Sequence, residues 1–206
     1  MPRSKFTIRD GTLLVNLARK TIEKFLEGRT RIKPPNNISE LLKEKFGVFV
    51  TLNKNGGSKE LRGCIGYPYP TDPLIEAIIN SAIEAATRDP RFPPTKLDEL
   101  NKIVIEISIL TNPELIKVKD PTEYLKEISI GSDGLIVEKN LNKGLLLPQV
   151  PIEWNWNVEE FLSNCSMKAG LPPDSWVLEG TKVYKFQAII FEEEDPGGKV
   201  RLRTLR

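Results

Sequence analysis

The 206-residue chain contains no histidine. That absence removes the commonest metal ligand and the side chain whose ordinary pKa best suits proton transfer near neutrality. Ser-His-Asp, Cys-His and His-ligated zinc chemistry are therefore excluded within the chain. Cysteine occurs only twice, at Cys64 and Cys165, too sparsely for a disulfide scaffold at this length, so free thiols are expected. No run approaches the roughly 20 apolar residues needed to cross a bilayer, and the start MPRSKFTIRDG lacks the apolar stretch of a secretory signal. A cytoplasmic protein without membrane contact is expected. Charge of either sign is not in excess: 30 basic residues face 28 acidic ones for a net +2, which gives no overall field to hold nucleic acid. Gly56, Gly57, Gly63 and Gly66 fit neither a P-loop nor a dinucleotide fingerprint, and there is no CxxC pair or EF-hand loop. No cofactor and no metal are expected.

What is present is a series of clear periodic segments. Apolar residues recur from Leu13 to Leu26 at helical spacing, with Asp10 as the expected N-cap and Gly28 as the stop. The loop RTRIKPPNN follows, and Ser39 is expected to cap a short helix through Phe46. GVFVTL and ELRGCIGY flank a glycine-containing turn and predict a hairpin. A helix is predicted after Thr71 or Asp72, opened by Pro73 and ending near Arg88. In KIVIEISIL, isoleucine at 103, 105, 107 and 109 gives a strict period of two and the most secure strand. Beyond it come a short helix over 121–128, strands at 135–138 and 144–147, and a helix opened by Asn157 and Glu160 in capping-box spacing. Residues 182–192 and 199–205 read as a closing hairpin across DPGG. Hairpins interspersed with helices predict an α+β fold with antiparallel pairing.

Three stretches carry candidate chemistry. In LRGCIGY, Gly63 and Gly66 can bring backbone close to a ligand, Arg62 can hold an anion in its planar fork, and Cys64 can act as a thiolate if its pKa is lowered. The same residues also suit a tight strand crossing around a small buried cysteine. In TRDPRFPP, Arg88 and Arg91 bracket Asp89 on a proline-stiffened loop, which either fixes charged groups for a ligand or makes a rigid connector. In LLLPQV, the Gln149 amide lies at an expected strand end, where it can donate and accept. Cys165 shares a helix face with Phe161 and Leu162 and reads as core. Trp154, Trp156 and Trp176 could stack a ring ligand, but basic residues do not interleave them and packing is the favoured reading.

LRGCIGY, TRDPRFPP, EISILT, LLLPQV and FLSNCSMKAGLPPDSW, in this order, resemble the AMMECR family, named for the Alport syndrome, midface hypoplasia and elliptocytosis chromosomal region protein. The resemblance runs from about Leu13 to Phe191. It implies an antiparallel sheet flanked by helices with a smaller α/β subdomain, residues 1–206 forming a single domain of this type that can divide into two subdomains. It also implies that LRGCIG lines a functional cleft, which makes Arg62, Gly63, Cys64 and Gly66 candidates, joined by Asp89, Arg91 and Gln149. Family members often place a cysteine two residues before the lysine of KAGL, whereas Cys165 stands three before Lys168, which weakens a two-cysteine mechanism. Relatives occur beside, or fused to, Memo-like and radical SAM proteins, which implies a shared modification pathway.

Three functions compete. As an enzyme or enzyme partner, the chain would use Cys64 as nucleophile or covalent carrier, Asp89 or another carboxylate as base, Arg62 to orient an anion, and Gln149 or backbone amides to stabilise charge. As a binding module, it would use the same cleft for a small ligand or protein segment, with Cys64 merely packed. A nucleic-acid-associated regulator would rest on the loop from Arg29 to Lys33 and the terminal RLRTLR, against the balanced charge.

Overall fold

The computed structural model describes residues 6–56 and 60–205. The turn residues Gly57, Ser58 and Lys59 of the first hairpin, and the last arginine of RLRTLR, lie outside the described residues. The chain divides into two compact units, residues 1–112 with 189–203, and residues 113–188 with 204–206. Among the described residues, no helix is long and apolar enough to cross a membrane.

In the first unit, α1 (Ile8–Gly28) is capped three residues before the expected position. Thr7 is the N-cap: its hydroxyl accepts from Asp10 N–H at 3.2 Å, while the Asp10 carboxylate accepts from Thr7 N–H at 2.9 Å. Asp10 thus belongs to the third helical position of a capping box, a pairing hidden because Thr and Asp are both good caps. Arg29 leaves the helix at φ 56°. The short α2 (Glu40–Lys43) follows Ser39, which makes no capping bond through its side chain. β1 (Gly47–Lys54) and β2 (Glu60–Tyr67) form the antiparallel hairpin, with a register irregularity between Leu52 and Asn53. α3 (Leu74–Thr87) takes Pro73 itself as N-cap and makes no capping bond through a side chain, so neither Thr71 nor Asp72 fills that role. β3 (Ile103–Leu110) pairs antiparallel with β1 and is buried along its whole length.

The strand order of this unit is β2-β1-β3, followed by the C-terminal part of a long strand that carries a final hairpin partner at residues 200–203. Its core is the alternation seen in the sequence. Ile103, Ile105, Ile107 and Ile109 join Val48, Val50 and Leu52 against Leu14, Ala18 and Ile22 of α1 and Ile78, Ile79 and Ala82 of α3. Burying side chains of this size contributes roughly 1.5–3 kcal/mol each. One polar node is embedded here. Arg19 of α1 donates to Glu193 (2.5 and 2.6 Å), Leu100 O and Ile103 O, and the same carboxylate accepts from Ile105 N–H at 2.8 Å.

The second unit contains β4 (Glu114–Leu115), α4 (Tyr124–Glu127), β5 (Asp133–Lys139), β6 (Asn142–Leu146), α5 (Val150–Glu153) and α6 (Val158–Lys168). β5 pairs antiparallel with both β6 and the N-terminal part of β7 (Lys182–Glu193), and β4 pairs with β7. β8 (Val200–Arg203) pairs with β7 residues that belong to the first unit. α6 has the expected capping box, Asn157 accepting from Glu160 N–H and Glu160 from Asn157 N–H. Its buried face, Phe161, Leu162 and Cys165, meets Leu135, Val137 and Val183. The fold is α+β with antiparallel strands and helices.

Candidate functional site

Five of the seven candidate residues are drawn together in the first unit, on or beside the outer strand β2. Asp89 opens the loop that leaves α3. Its Oδ2 accepts from the Cys64 N–H at 2.8 Å, and its Oδ1 accepts from the Arg91 N–H at 3.1 Å. Arg91 grips the same carboxylate with Nε (2.9 Å) and Nη2 (2.7 Å), and Nη2 also donates to Cys64 O at 3.2 Å. The ion pair therefore does for Cys64 what a neighbouring strand would do, supplying an acceptor to its N–H and a donor to its carbonyl. An edge strand left bare is a template for unwanted pairing, and this arrangement closes it at one residue. LRGCIGY and TRDPRFPP are thus two halves of one structure.

The glycines have a packing reason. A Cβ on Gly63 would stand 2.2 Å from Ala85 O, so α3 sits directly on the strand. One on Gly66 would stand 2.1 Å from Val48 O and 2.5 Å from Phe49 Cα, within the hairpin itself. Because successive strand residues alternate, Gly63 facing α3 sends Cys64 to the opposite face. Arg62 is the candidate that turns away from this group. It is 6% exposed, donates to Glu99 through Nε (2.9 Å) and Nη2 (3.1 Å) and to Pro93 O through Nη1 (3.0 Å), and so fastens the proline loop. Those bonds hold the Glu99 carboxyl below its ordinary pKa. Gln149 belongs to the second unit, where it is buried at the N-cap of α5 and does not end a strand.

Cys64 is half-buried and unpaired. Burial pushes its thiol pKa up; the Thr51 hydroxyl, 3.2 Å from Sγ, and the Arg91 guanidinium pull it down and are outweighed. Burial also works against the charge on Asp89, but the bonds from Arg91 and from the Cys64 N–H prevail and hold its carboxyl at about 2. A carboxylate with four donors and that pKa is a poor proton acceptor at neutral pH. Tyr67, at the end of β2, donates to Glu84 at 2.6 Å, and this bond, assisted by burial, raises its pKa to about 12. The buried Cys165 thiol is pushed up to about 12.

The register adds residues that sequence reasoning passed over. Cys64 stands opposite Thr51 on β1, and Thr51 opposite Glu106 on β3. Glu106 is 2% exposed and accepts from Arg203 Nη1 of β8 at 2.7 Å. On the same face Arg201 donates to Glu192 at 2.8 and 2.9 Å. A polar band thus crosses the sheet from Cys64 through Thr51 and Glu106 to Arg203. The signal was available in IVIEISIL: a strand whose isoleucines all face one way presents its single charge, Glu106, to the other side. Among the described residues, no group of three or more Cys, Asp or Glu is arranged to hold a metal ion.

A sequence model of the AMMECR1 family matches residues 15–191, which contain the hairpin, the Asp89–Arg91 loop and the α6 region. The chain belongs to the AMMECR1 family. It is 55% identical to Protein PYRAB00100 of Pyrococcus abyssi, over 95% of this chain and 96% of that one. It is 54% identical to Protein MJ0810 of Methanocaldococcus jannaschii, over 94% and 95%. The crystal structure of Uncharacterized Protein PH0010 from Pyrococcus horikoshii is similar at a TM-score of 0.92 and 54% identity, covering 95% of this chain and 97% of that one. These thermophilic archaeal relatives agree with the abundance of Lys and Glu and with only two Met and two Gln.

Proposed function

We propose that the AMMECR1 fold presents, on the Cys64 face of its first unit, a recognition site for a small anionic ligand, with Cys64 as a neutral thiol contact. The observation that carries this reading is the state of Arg91. Two of its nitrogens are committed to Asp89 and Cys64 O, which fixes the guanidinium plane, while Nη1 has no partner among the described residues and the side chain is 44% exposed. A guanidinium held by a buried carboxylate is a pre-oriented donor for a carboxylate or phosphate. Arg203, 18% exposed and held by Glu106, stands over the same face, and the strands of Cys64 and Glu106 are two spacings, about 10 Å, apart.

The raised thiol pKa and the occupied Asp89 carboxylate weigh against Cys64 as a nucleophile with Asp89 as its base. On this reading the chain is a ligand-holding partner in a modification pathway, of the kind expected beside Memo-like or radical SAM proteins, and not the catalyst. Titration with inorganic phosphate and with citrate, followed by the amide resonances of Cys64 and Gly66, tests it. Shifts confined to β2 and the Asp89–Arg91 loop, weakened in Arg91→Lys, are expected. Absence of any shift for both anions at millimolar concentration contradicts the reading.

A further inference from the structure

The first unit holds a cavity of about 280 Å³ between the N-terminal turns of α1 and the segment that leads into α2. Its floor is apolar: Leu42 is buried, and Leu13 and Ile38 are half-buried against the core. The wall opposite α1 is fastened on both sides. Before it, Arg31 donates to Glu76 and to Asn80 Oδ1 (3.1 Å) of α3; after it, Glu44 O accepts from the Leu74 N–H at 2.9 Å. Pro34 and Pro35 restrict the backbone in between. The cavity walls are therefore set before any ligand arrives.

The rim is polar and uncommitted. Arg9 has no ion pair, hydrogen bond or ring contact among the described residues. Every other described arginine has one: Arg29 lies over the Phe25 ring, and the rest meet carboxylates. Arg9 also stands in the first turn of α1, where the helix dipole disfavours a cation, and its exposed side chain gains no burial in return. Beside it, the Ser39 hydroxyl makes no capping bond, and neither that group nor the Asn37 amide has a partner among the described residues. The acid in the lining is engaged: Asp10 Oδ2 accepts from the Thr7 N–H at 2.9 Å and from the Thr7 hydroxyl at 2.6 Å. Asp10 is no contact for a ligand, but its charge on the wall opposes a second negative charge beside one held by Arg9. Polar groups converging over an apolar floor are the make-up of a ligand pocket, and this volume lies just under the usual range of roughly 300–1,000 Å³, which sets a small ligand. We infer that the cavity binds a small monocarboxylate with a branched apolar body. Arg9 holds the carboxylate in its planar fork, Asn37 and Ser39 donate to it, and the apolar body rests on Leu13, Ile38 and Leu42. None of these residues belongs to the Cys64 site.

The test titrates the full chain with isovalerate and follows the backbone amide resonances of Leu13, Ile38 and Ser39. Isovaleramide, acetate and inorganic phosphate are the controls. Isovalerate is expected to shift these resonances saturably at millimolar concentration. Isovaleramide lacks the charge, acetate lacks the apolar body and phosphate carries too much charge, so each should bind several-fold more weakly. Arg9→Gln changes an exposed side chain without a partner among the described residues, so the fold is retained, and it should weaken isovalerate binding about fivefold or more. Isovalerate that shifts none of the three resonances overturns the proposal, as does an affinity unchanged in Arg9→Gln. So does binding of isovaleramide or phosphate at these residues as tight as that of isovalerate. Shifts confined to Cys64 and Gly66 also overturn it, because the anion then occupies the other site.

Discussion

Replacing Asp89 by asparagine tests the clamp on Cys64 directly. The carboxylate is 2% exposed at its side chain, accepts four hydrogen bonds, and titrates at about 2 when folded, against an ordinary value of 3.8. A depression of nearly two units corresponds to about 2 kcal/mol of folding stability at neutral pH. Because the folded-state pKa is the lower one, this contribution is complete above about pH 5 and disappears as the pH falls through 4 towards 2. Asparagine keeps an acceptor for the Cys64 N–H but cannot serve as anion to Arg91. Urea unfolding at elevated temperature, run from pH 7 to pH 2.5 on both proteins, should give a gap of about 2 kcal/mol at pH 7 that narrows steadily below pH 4. A gap under 0.5 kcal/mol at pH 7 (roughly the range of an inconsequential surface change), or one that does not change with pH, would refute the reasoning.

Three further outcomes follow from the packing. Gly63→Ala forces a methyl against Ala85 O, a backbone atom that cannot turn aside, and should lower stability by about 3 kcal/mol, read as a drop in Tm. Arg19→Met leaves the Glu193 carboxylate, 0% exposed, without its counter-ion, and should cost about 3 kcal/mol, whereas Lys24→Met at an exposed pair should cost almost nothing. A double-mutant cycle of Arg62→Met with Glu99→Gln should give a coupling of about 1 kcal/mol, and a coupling of zero would mean that the pair does not fasten the proline loop.

The elements legible in the sequence were those in which one physical rule acts alone. The isoleucine alternation gave β3, the glycine-containing turn between GVFVTL and ELRGCIGY gave the β1–β2 hairpin, and Asn157 with Glu160 gave the start of α6. Where two residues could fill one role the boundary moved, as with Thr7 and Asp10 at α1. At α3 the N-cap has no side-chain acceptor at all, so rules that look for one point to the wrong residue. The division of β7 between two units is a property of long-range pairing, on which local pattern is silent. The candidate site was legible as a list of residues and not as an arrangement. Nothing in spacing says that Asp89 grips the Cys64 N–H across 25 positions, that Arg62 turns to Glu99, or that Arg203 comes to rest on Glu106. Those contacts are made by tertiary folding, and they are what supports reading Asp89 as a clamp.

The most direct test of the central claim is the pH profile of Cys64 alkylation in the folded protein, followed by mass spectrometry with Cys165 as the buried internal reference. A neutral thiol contact, its pKa raised by burial, should label slowly at pH 7 and accelerate only above the ordinary thiol range of about 8.5. Rapid labelling of Cys64 at pH 6 would contradict the account and make the thiol a nucleophile.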